Sequence, residues 1–109
     1  MSNDSQYLSN QIQRTLAVMH TMAGHEVHGI SPGELAKIID TSQSNITRIL
    51  ANLKHAQYAE HLPSNNSRWR LAPRFVQIAN TVNLNMTKAI QQLDIAQRNY
   101  SLISYKELP

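Results

Sequence analysis

Cysteine is absent from the 109-residue sequence, and glycine and proline are scarce, with three and four residues respectively. The lack of cysteine excludes disulfide-built scaffolds, thiolate nucleophiles and every zinc or iron–sulfur site that depends on Cys ligands. So few glycines and prolines are untypical of disordered or linker segments. The sequence therefore predicts a folded and mainly helical chain.

Long apolar runs are also missing. No stretch of about eighteen apolar residues could cross a bilayer, and the N-terminus has no basic segment followed by an apolar one. We therefore expect a cytoplasmic protein without membrane contact. Lys plus Arg exceed Asp plus Glu by ten to seven, which gives a formal net charge of +3. This excess permits an anionic partner, but the placement of the charges must decide whether there is one.

An amphipathic pattern opens the chain. Apolar residues recur every three or four positions from Asp4 to Ala23, which predicts a helix with one buried stripe. The stripe consists of Leu8, Ile12, Leu16, Met19 and Ala23. Gly24 follows, and glycine readily adopts the left-handed conformation that ends a helix. The segment Val27–Ile30 predicts at most a brief strand before the next helix.

Two further helices are marked by their start signals. Ser31 and Glu34 have the spacing of a capping box, in which hydroxyl and carboxylate satisfy the first backbone N–H groups. The polar turn Asp40–Ser42 ends this short helix and begins another, roughly from Ser42 to His55. The buried stripe of that third helix is predicted to be Ile46, Ile49, Leu50 and Leu53. Its polar side and N-terminal end carry Gln43, Ser44, Asn45, Thr47 and Arg48.

A small β-hairpin is predicted next. The extended segments Tyr58–Leu62 and Arg68–Leu71 flank a cluster of turn-forming residues, Pro63–Ser67. Alternation along the second strand places Arg68 and Arg70 on one face and Trp69 on the other. We expect the tryptophan to pack in the core and the arginines to face outward.

The C-terminal segment has the pattern of one long helix. From Phe75 to Ile103 the apolar residues are spaced alternately four and three apart, as in a heptad repeat. A helix over about 74–103 would be roughly 45 Å long, more than the preceding residues can cover. The sequence therefore predicts self-association, most simply as a homodimer with a higher oligomer as the alternative. The seam residues assigned to this contact are Val82, Met86, Ala89, Leu93, Ala96 and Tyr100.

These elements together predict a winged helix-turn-helix domain over residues 1–73 and a dimerisation helix over 74–109. Four segments resemble the DNA-binding domain of the isocitrate lyase regulator (IclR) family: Glu34–Lys37, Ser44–Leu53, Tyr58–His61 and Arg68–Phe75. The resemblance runs from about Gln13 to Ala79. The pattern departs from the family at Asp40–Ser42, where such domains usually have Gly-Leu-Pro, and the chain stops at Pro109, where members typically continue into an effector domain. We therefore expect no small-molecule effector.

The resemblance implies that the third helix enters the major groove of double-stranded DNA. The residue chemistry agrees, since amides can pair with adenine, arginine with guanine or phosphate, and hydroxyls with either. Basic residues are also concentrated there, because Glu60 is the single acidic residue between Thr41 and Leu93. For the wing-tip asparagines, a minor-groove contact and a turn-forming role are equally supported. The predicted DNA-binding residues are Ser42, Gln43, Ser44, Asn45, Thr47, Arg48, Asn65, Asn66, Arg68, Arg70 and Arg74.

The sequence thus predicts a small bacterial, plasmid or phage transcriptional regulator. Two alternatives remain open: a DNA-binding protein of replication control, partitioning or packaging, and a winged-helix adaptor that binds another protein. The scattered histidines form no H-E-x-x-H motif, and no glycine-rich phosphate loop occurs. We therefore expect neither an enzyme, nor a cofactor, nor a metal site.

Overall fold

The computed structural model describes residues 3–107. A short 3-10 turn, Asn3–Tyr7, precedes the first α-helix. The regular elements are, in order, α1 Asn10–Met22, α2 Pro32–Ile39, α3 Gln43–His55, β1 Ala59–Leu62, β2 Asn65–Leu71 and α4 Arg74–Glu107. Three helices, a two-stranded hairpin and a long C-terminal helix confirm the predicted winged helix-turn-helix class.

The chain divides into two compact units, Met1–Phe75 and Val76–Pro109. The first unit contains α1, α2, α3 and the hairpin, and the second consists of α4 from its third residue onward. The assignment of dimerisation to the C-terminal helix stays a prediction.

α1 is shorter than predicted and buries a different face. Ser9 caps it by accepting a hydrogen bond from the Ile12 N–H at 3.2 Å, so the helix begins at Asn10 rather than Asp4. Val18 and Met22 are fully buried, and Met19 packs against them from the edge of the core. The rest of the predicted stripe is wrong, since its members are exposed: Leu8, Ile12, Leu16 and Ala23. Periodicity marks candidate stripes, but packing against α2 and β2 decides which one is buried.

The helix-turn-helix follows its local signals closely. The capping box forms, with the Glu34 N–H donating to Ser31 Oγ at 3.1 Å. Asp40 adopts the left-handed conformation at φ 61°, which ends α2 and lets the chain turn. Ser42 then caps α3 by accepting from the Asn45 N–H at 3.0 Å. The predicted buried stripe of α3 is confirmed, as its four members all lie in the core: Ile46, Ile49, Leu50 and Leu53.

The hairpin is tighter than predicted. Its strands are antiparallel, with His61 opposite Trp69 and Leu62 opposite Asn65, and the register shifts between these two pairs. The second strand therefore begins at Asn65, and the predicted five-residue turn over Pro63–Ser67 is wrong. The shift in register absorbs the extra residues, as a bulge does.

Two other expectations concern the inner face of the hairpin. Trp69 is 9% exposed and belongs to the core cluster, so its predicted packing role is confirmed. Within the segment Val27–Ile30, the backbone pairing with the sheet is a single bridge. Ile30 and Trp69 each donate a backbone N–H to the other's carbonyl, at 2.9 and 2.8 Å.

α4 spans 34 residues, which corresponds to about 51 Å. Near its start, within the first unit, the ring of Phe75 packs on that of Tyr58 with centroids 5.0 Å apart. None of the described helices combines the length and apolarity needed to cross a membrane.

Candidate nucleic-acid interface

α3 has one side in the core and presents its N-terminal polar residues at the surface. Gln43, Ser44, Thr47 and Arg48 are exposed. Among the side chains that the structure describes, those of Gln43, Ser44 and Arg48 make no hydrogen bond. An amide, a hydroxyl and a guanidinium therefore stay available to a ligand on one rigid element. Thr47 differs, because its hydroxyl donates to the backbone oxygen of Gln43 at 3.0 Å.

Asn45 lies on the flank of α3 and is only partly exposed. Its Nδ2 donates to Thr41 Oγ1 at 3.0 Å, and its Oδ1 accepts from Gln11 Nε2 at 2.9 Å. The amide thus joins α1, the turn and α3. A bidentate contact with adenine would compete with these bonds, since each needs the same amide atoms. The base-reading role of Asn45 stays a prediction.

Arg68 on β2 is half-buried and bonds to its own chain. Its Nε donates to the His28 carbonyl at 2.8 Å and its Nη2 to the Gly29 carbonyl at 3.0 Å. Its Nη1 donates to Glu34 Oε1 at 2.9 Å, which closes an ion pair. The hydrogen bond from the Ser31 hydroxyl to Glu34 lowers the pKa of this carboxyl most, and the Arg68 contact lowers it further. Glu34 is therefore charged at neutral pH.

Arg70 is also half-buried and paired. Its Nε and Nη2 donate to Glu60 Oε2 at 3.0 and 2.7 Å, across the hairpin in the register that places the two residues opposite each other. The two arginines share the predicted strand face, but both are already bound to carboxylates of the same domain. Their predicted contact with DNA is not established by this geometry.

The wing-tip asparagines differ from each other. Asn65 Oδ1 accepts from the Ser67 N–H at 3.0 Å and from its hydroxyl at 2.6 Å, so this side chain stabilises the turn. Asn66 is exposed. Both asparagines are exposed, and of these two described side chains only that of Asn65 bonds within the turn.

Arg74 is exposed at the start of α4. Its Nη2 donates to Gln57 Oε1, and its guanidinium lies 5.7 Å from the centre of the Tyr58 ring. Neither partner carries a negative charge, so this arginine keeps its net positive charge. Lys54 near the end of α3 is exposed as well, and it is not among the predicted DNA-binding residues. Its position on the same helix as Arg48 is the sequence feature that could have identified it as part of the interface.

Sequence reasoning also missed the acidic partners of the wing arginines. Glu60 could have been found from the hairpin register, because directly opposed residues of unlike charge pair across strands. Glu34 could not have been found in this way, since it lies 34 positions from Arg68 and belongs to another element.

His61 packs against Trp69 of the core, with the two rings tilted by 41°. Its ring centroid lies 3.9 Å from that of Trp69, and its Nδ1 is buried without a hydrogen-bond partner. Within the described part of the chain, no three His, Asp or Glu side chains are grouped so that they could hold a metal ion.

The predicted dimerisation residues lie on α4, and every one of them is exposed. Val82 is 51% exposed, Met86 61%, Leu93 70% and Tyr100 75%. Ala89 and Ala96 fall between these larger side chains, in the alternating spacing that the sequence predicts. The seam is therefore continuous along the helix surface.

The sequence matches no protein-family model and no curated protein. Solved structures nevertheless share its fold. An IclR transcriptional regulator from Alicyclobacillus acidocaldarius superposes with a TM-score of 0.61 at 16% identity, over 70% of this chain and 30% of that one. A putative IclR transcriptional regulator from Silicibacter sp. TM1040 gives 0.60 at 16% identity, over 69% and 29%.

A mutant of MepR from S. aureus aligns with 94% of this chain and 78% of its own at 13% identity, with a TM-score of 0.48. The chain spans about 30% of the length of the first two structures. Their likeness confirms the predicted resemblance: this chain has the fold of the winged helix domain found in IclR transcriptional regulators.

Proposed function

We propose that this chain is a sequence-specific DNA-binding protein that acts as a small dimeric transcriptional regulator. α3 enters the major groove with its N-terminal end toward the bases, and the wing lies beside the DNA backbone. The proposal is supported by the two solved structures with the same fold, an IclR transcriptional regulator and a putative IclR transcriptional regulator.

One observation carries the proposal: at the exposed end of α3, the side chains of Gln43, Ser44 and Arg48 make no hydrogen bond with any part of the chain that the structure describes. These groups match the donors and acceptors on base edges. An arginine fork pairs with guanine, a glutamine amide with adenine, and a serine hydroxyl with either base. Because the opposite side of α3 is fixed in the core, the backbone of the helix would lose little conformational freedom on binding DNA, and the entropy cost would fall on the exposed side chains.

Cations on α3 and at the start of α4 would attract the DNA phosphates. Arg48 and Lys54 are exposed, and Arg74 keeps its net charge. Each phosphate contact releases counterions from the DNA. For every such contact, a tenfold increase in salt lowers the logarithm of the binding constant by about 0.9. The affinity for any DNA should therefore fall steeply with salt.

Dimerisation through the α4 seam completes the proposed assembly. Two copies would place two α3 helices on half-sites about 10 base pairs apart, or a multiple of that distance. A tetramer is the alternative, because alanine at several seam positions allows close approach without fixing the number of helices.

The test begins with selection of bound fragments from random duplex DNA, followed by titration of the selected site. Arg48→Ala should weaken binding by about 1–3 kcal/mol, or roughly 5- to 150-fold, because it removes the guanidinium from the base-facing end of α3. Arg98→Ala is the matched control. It removes the same charge from an exposed arginine of the second unit that pairs with Asp94.

Equal affinities for the wild-type protein and Arg48→Ala would contradict the proposed reading helix. A wild-type protein that selects no sequence and shows no salt-dependent DNA binding would support the protein-binding adaptor instead. Selection of a site found beside a replication origin or partition locus would favour the replication or partitioning role.

A further inference from the structure

We infer that Arg68 is a positioning residue, which locks the wing against the start of α2 and does not bind DNA phosphate. The part of this inference that concerns DNA rests on the proposed function. The contacts of Arg68 with His28, Gly29 and Glu34, which we call the lock, are a property of the folded domain whether or not it binds DNA. They join β2 to two segments that lie about 34 to 40 positions earlier in the chain.

The guanidinium is bonded on all three of its nitrogen atoms. Nε and Nη2 reach two successive backbone carbonyls, those of His28 and Gly29, and Nη1 reaches the carboxylate of Glu34. A planar fork suits three acceptors in fixed directions, whereas the ammonium of a lysine acts as a single point charge. The position therefore requires arginine rather than a positive charge alone.

The backbone beside this contact is built for close approach. Gly29 adopts φ +69°, and a Cβ on it would lie 3.0 Å from the Arg68 Cβ and 3.1 Å from the Trp69 carbonyl oxygen. One residue further along, Ile30 and Trp69 exchange two backbone hydrogen bonds. The loop before α2 is thus held to β2 twice, through the side chain of Arg68 and through the backbone of Trp69.

Glu34 connects the lock to α2. Its Oε1 accepts from both the Ser31 hydroxyl, at 2.9 Å, and Arg68, so one carboxylate serves the capping box and the wing. The capping box sets where α2 begins, and α2 precedes the turn into α3. Arg68 therefore helps to hold the wing in a fixed orientation relative to the helix-turn-helix.

The same contacts argue against phosphate binding. The positive charge of Arg68 is balanced by Glu34 at 2.9 Å, and its side chain is 31% exposed. A phosphate would have to displace the Glu34 carboxylate or draw the guanidinium away from the carbonyls of His28 and Gly29. Arg48 could bind a phosphate without giving up a hydrogen bond or ion pair to the described part of the chain.

The first arm of the test needs no DNA. Hydrogen exchange of the Ile30 and Trp69 amides is measured by NMR in the wild type, Arg68→Ala, Arg68→Lys and Arg70→Ala. Loss of the lock should speed exchange of both amides at least about tenfold in Arg68→Ala. Lysine should restore little of the protection, because it cannot bond all three acceptors. Arg70→Ala should leave both amides nearly unchanged, since that arginine pairs within the hairpin. Unchanged exchange in Arg68→Ala overturns the lock.

The second arm measures DNA affinity against salt. Arg68→Ala should bind more weakly than the wild type while the slope of log K against log salt stays the same. Loss of a phosphate contact would instead reduce the slope by about 0.9. A reduced slope overturns the inference, whatever the exchange rates are. If the wild type binds no DNA at all, the proposed function fails, and the exchange experiment still decides whether the lock exists.

Discussion

Gly29 offers a direct test of how closely the wing approaches the loop before α2. Its φ of +69° lies in the left-handed region, and a side chain there costs an L-residue about 1–2 kcal/mol. In Gly29→Ala the new Cβ would also lie 3.0 Å from one side-chain atom and 3.1 Å from a backbone oxygen. Crowding of this kind typically costs a further 1–3 kcal/mol or so. We therefore expect Gly29→Ala to lower the free energy of unfolding by about 2–5 kcal/mol.

Gly24→Ala is the matched control for this substitution. Gly24 also has a positive φ, +94°, but a Cβ there would meet nothing within 4 Å. It should therefore cost only the backbone strain of about 1–2 kcal/mol. A φ of +94° is further from the left-handed minimum than +69°, so this control does not underestimate the strain at Gly29.

The two variants are compared by urea denaturation monitored by circular dichroism. The protein concentration is kept the same, because self-association would make stability concentration-dependent. In a thermal melt of the same variants, a difference of 1 kcal/mol in stability would appear as a shift in Tm of roughly 4–8 °C for a domain of this size. A loss of no more than about 1–2 kcal/mol in Gly29→Ala, which is the cost of backbone strain alone, would refute the reasoning, since the close approach of the wing would then contribute nothing.

Three further predictions test the core, the seam and the capping box. Met22→Ala, at a fully buried side chain, should cost about 2–5 kcal/mol in denaturation experiments, whereas Leu16→Ala, at a side chain 51% exposed, should cost far less; the reverse order would restore the stripe predicted from sequence. Leu93→Glu should yield monomers in sedimentation experiments because it places a charge in the seam, while Leu84→Glu, off the seam, should leave the oligomer intact; monomers from both would reject this seam. The pKa of Glu34 is lowered by the Ser31 hydroxyl and then by Arg68, so its stabilising contribution is complete above its ordinary value of 4.5 and is lost as the pH falls through the lowered pKa. Glu34→Gln should therefore show a smaller loss of stability on acidification than the wild type, and identical acid profiles would contradict this assignment.

Local signals predicted the centre of the domain well. The capping box at Ser31 and Glu34, the left-handed Asp40 and the cap at Ser42 each depend on residues within a few positions of one another. Such interactions have nearly the same geometry wherever they occur, so a sequence pattern identifies them directly. The buried side of α3 followed in the same way, because its apolar residues form one stripe and its polar residues the other.

The face of α1 depends on distant residues and was predicted wrongly. The helix carries apolar side chains on two sides, one with Ile12 and Leu16, which continue the spacing of Leu8 before the helix, and the other with Val18 and Met22. Both sides have helical spacing, so periodicity cannot choose between them. The choice is made by α2 and β2, which pack against α1 on the second side.

The candidate interface shows a similar division between local and distant effects. The exposed polar end of α3 could be predicted, because an amphipathic helix buries one side and leaves the other. The state of the wing arginines could not, because a count of charges along the chain does not reveal pairs. Arg68 and Arg70 each lie within 3 Å of a carboxylate, at 2.9 and 2.7 Å.

That pairing changes where the domain attracts an anion. A charge pair separated by about 3 Å acts at longer range as a dipole, and salt at physiological strength screens what remains beyond about 8 Å. The wing therefore contributes much less attraction than its arginines suggest. Arg48 and Lys54 on α3 keep their full charge in the part of the chain that the structure describes. In the proposed complex, the charges that would attract DNA are therefore those of α3 and of Arg74 at the start of α4, and α3 also carries the exposed amide of Gln43 and hydroxyl of Ser44. α3 would thus supply the base reading and part of the attraction, while the wing would fix the orientation in which that helix is presented.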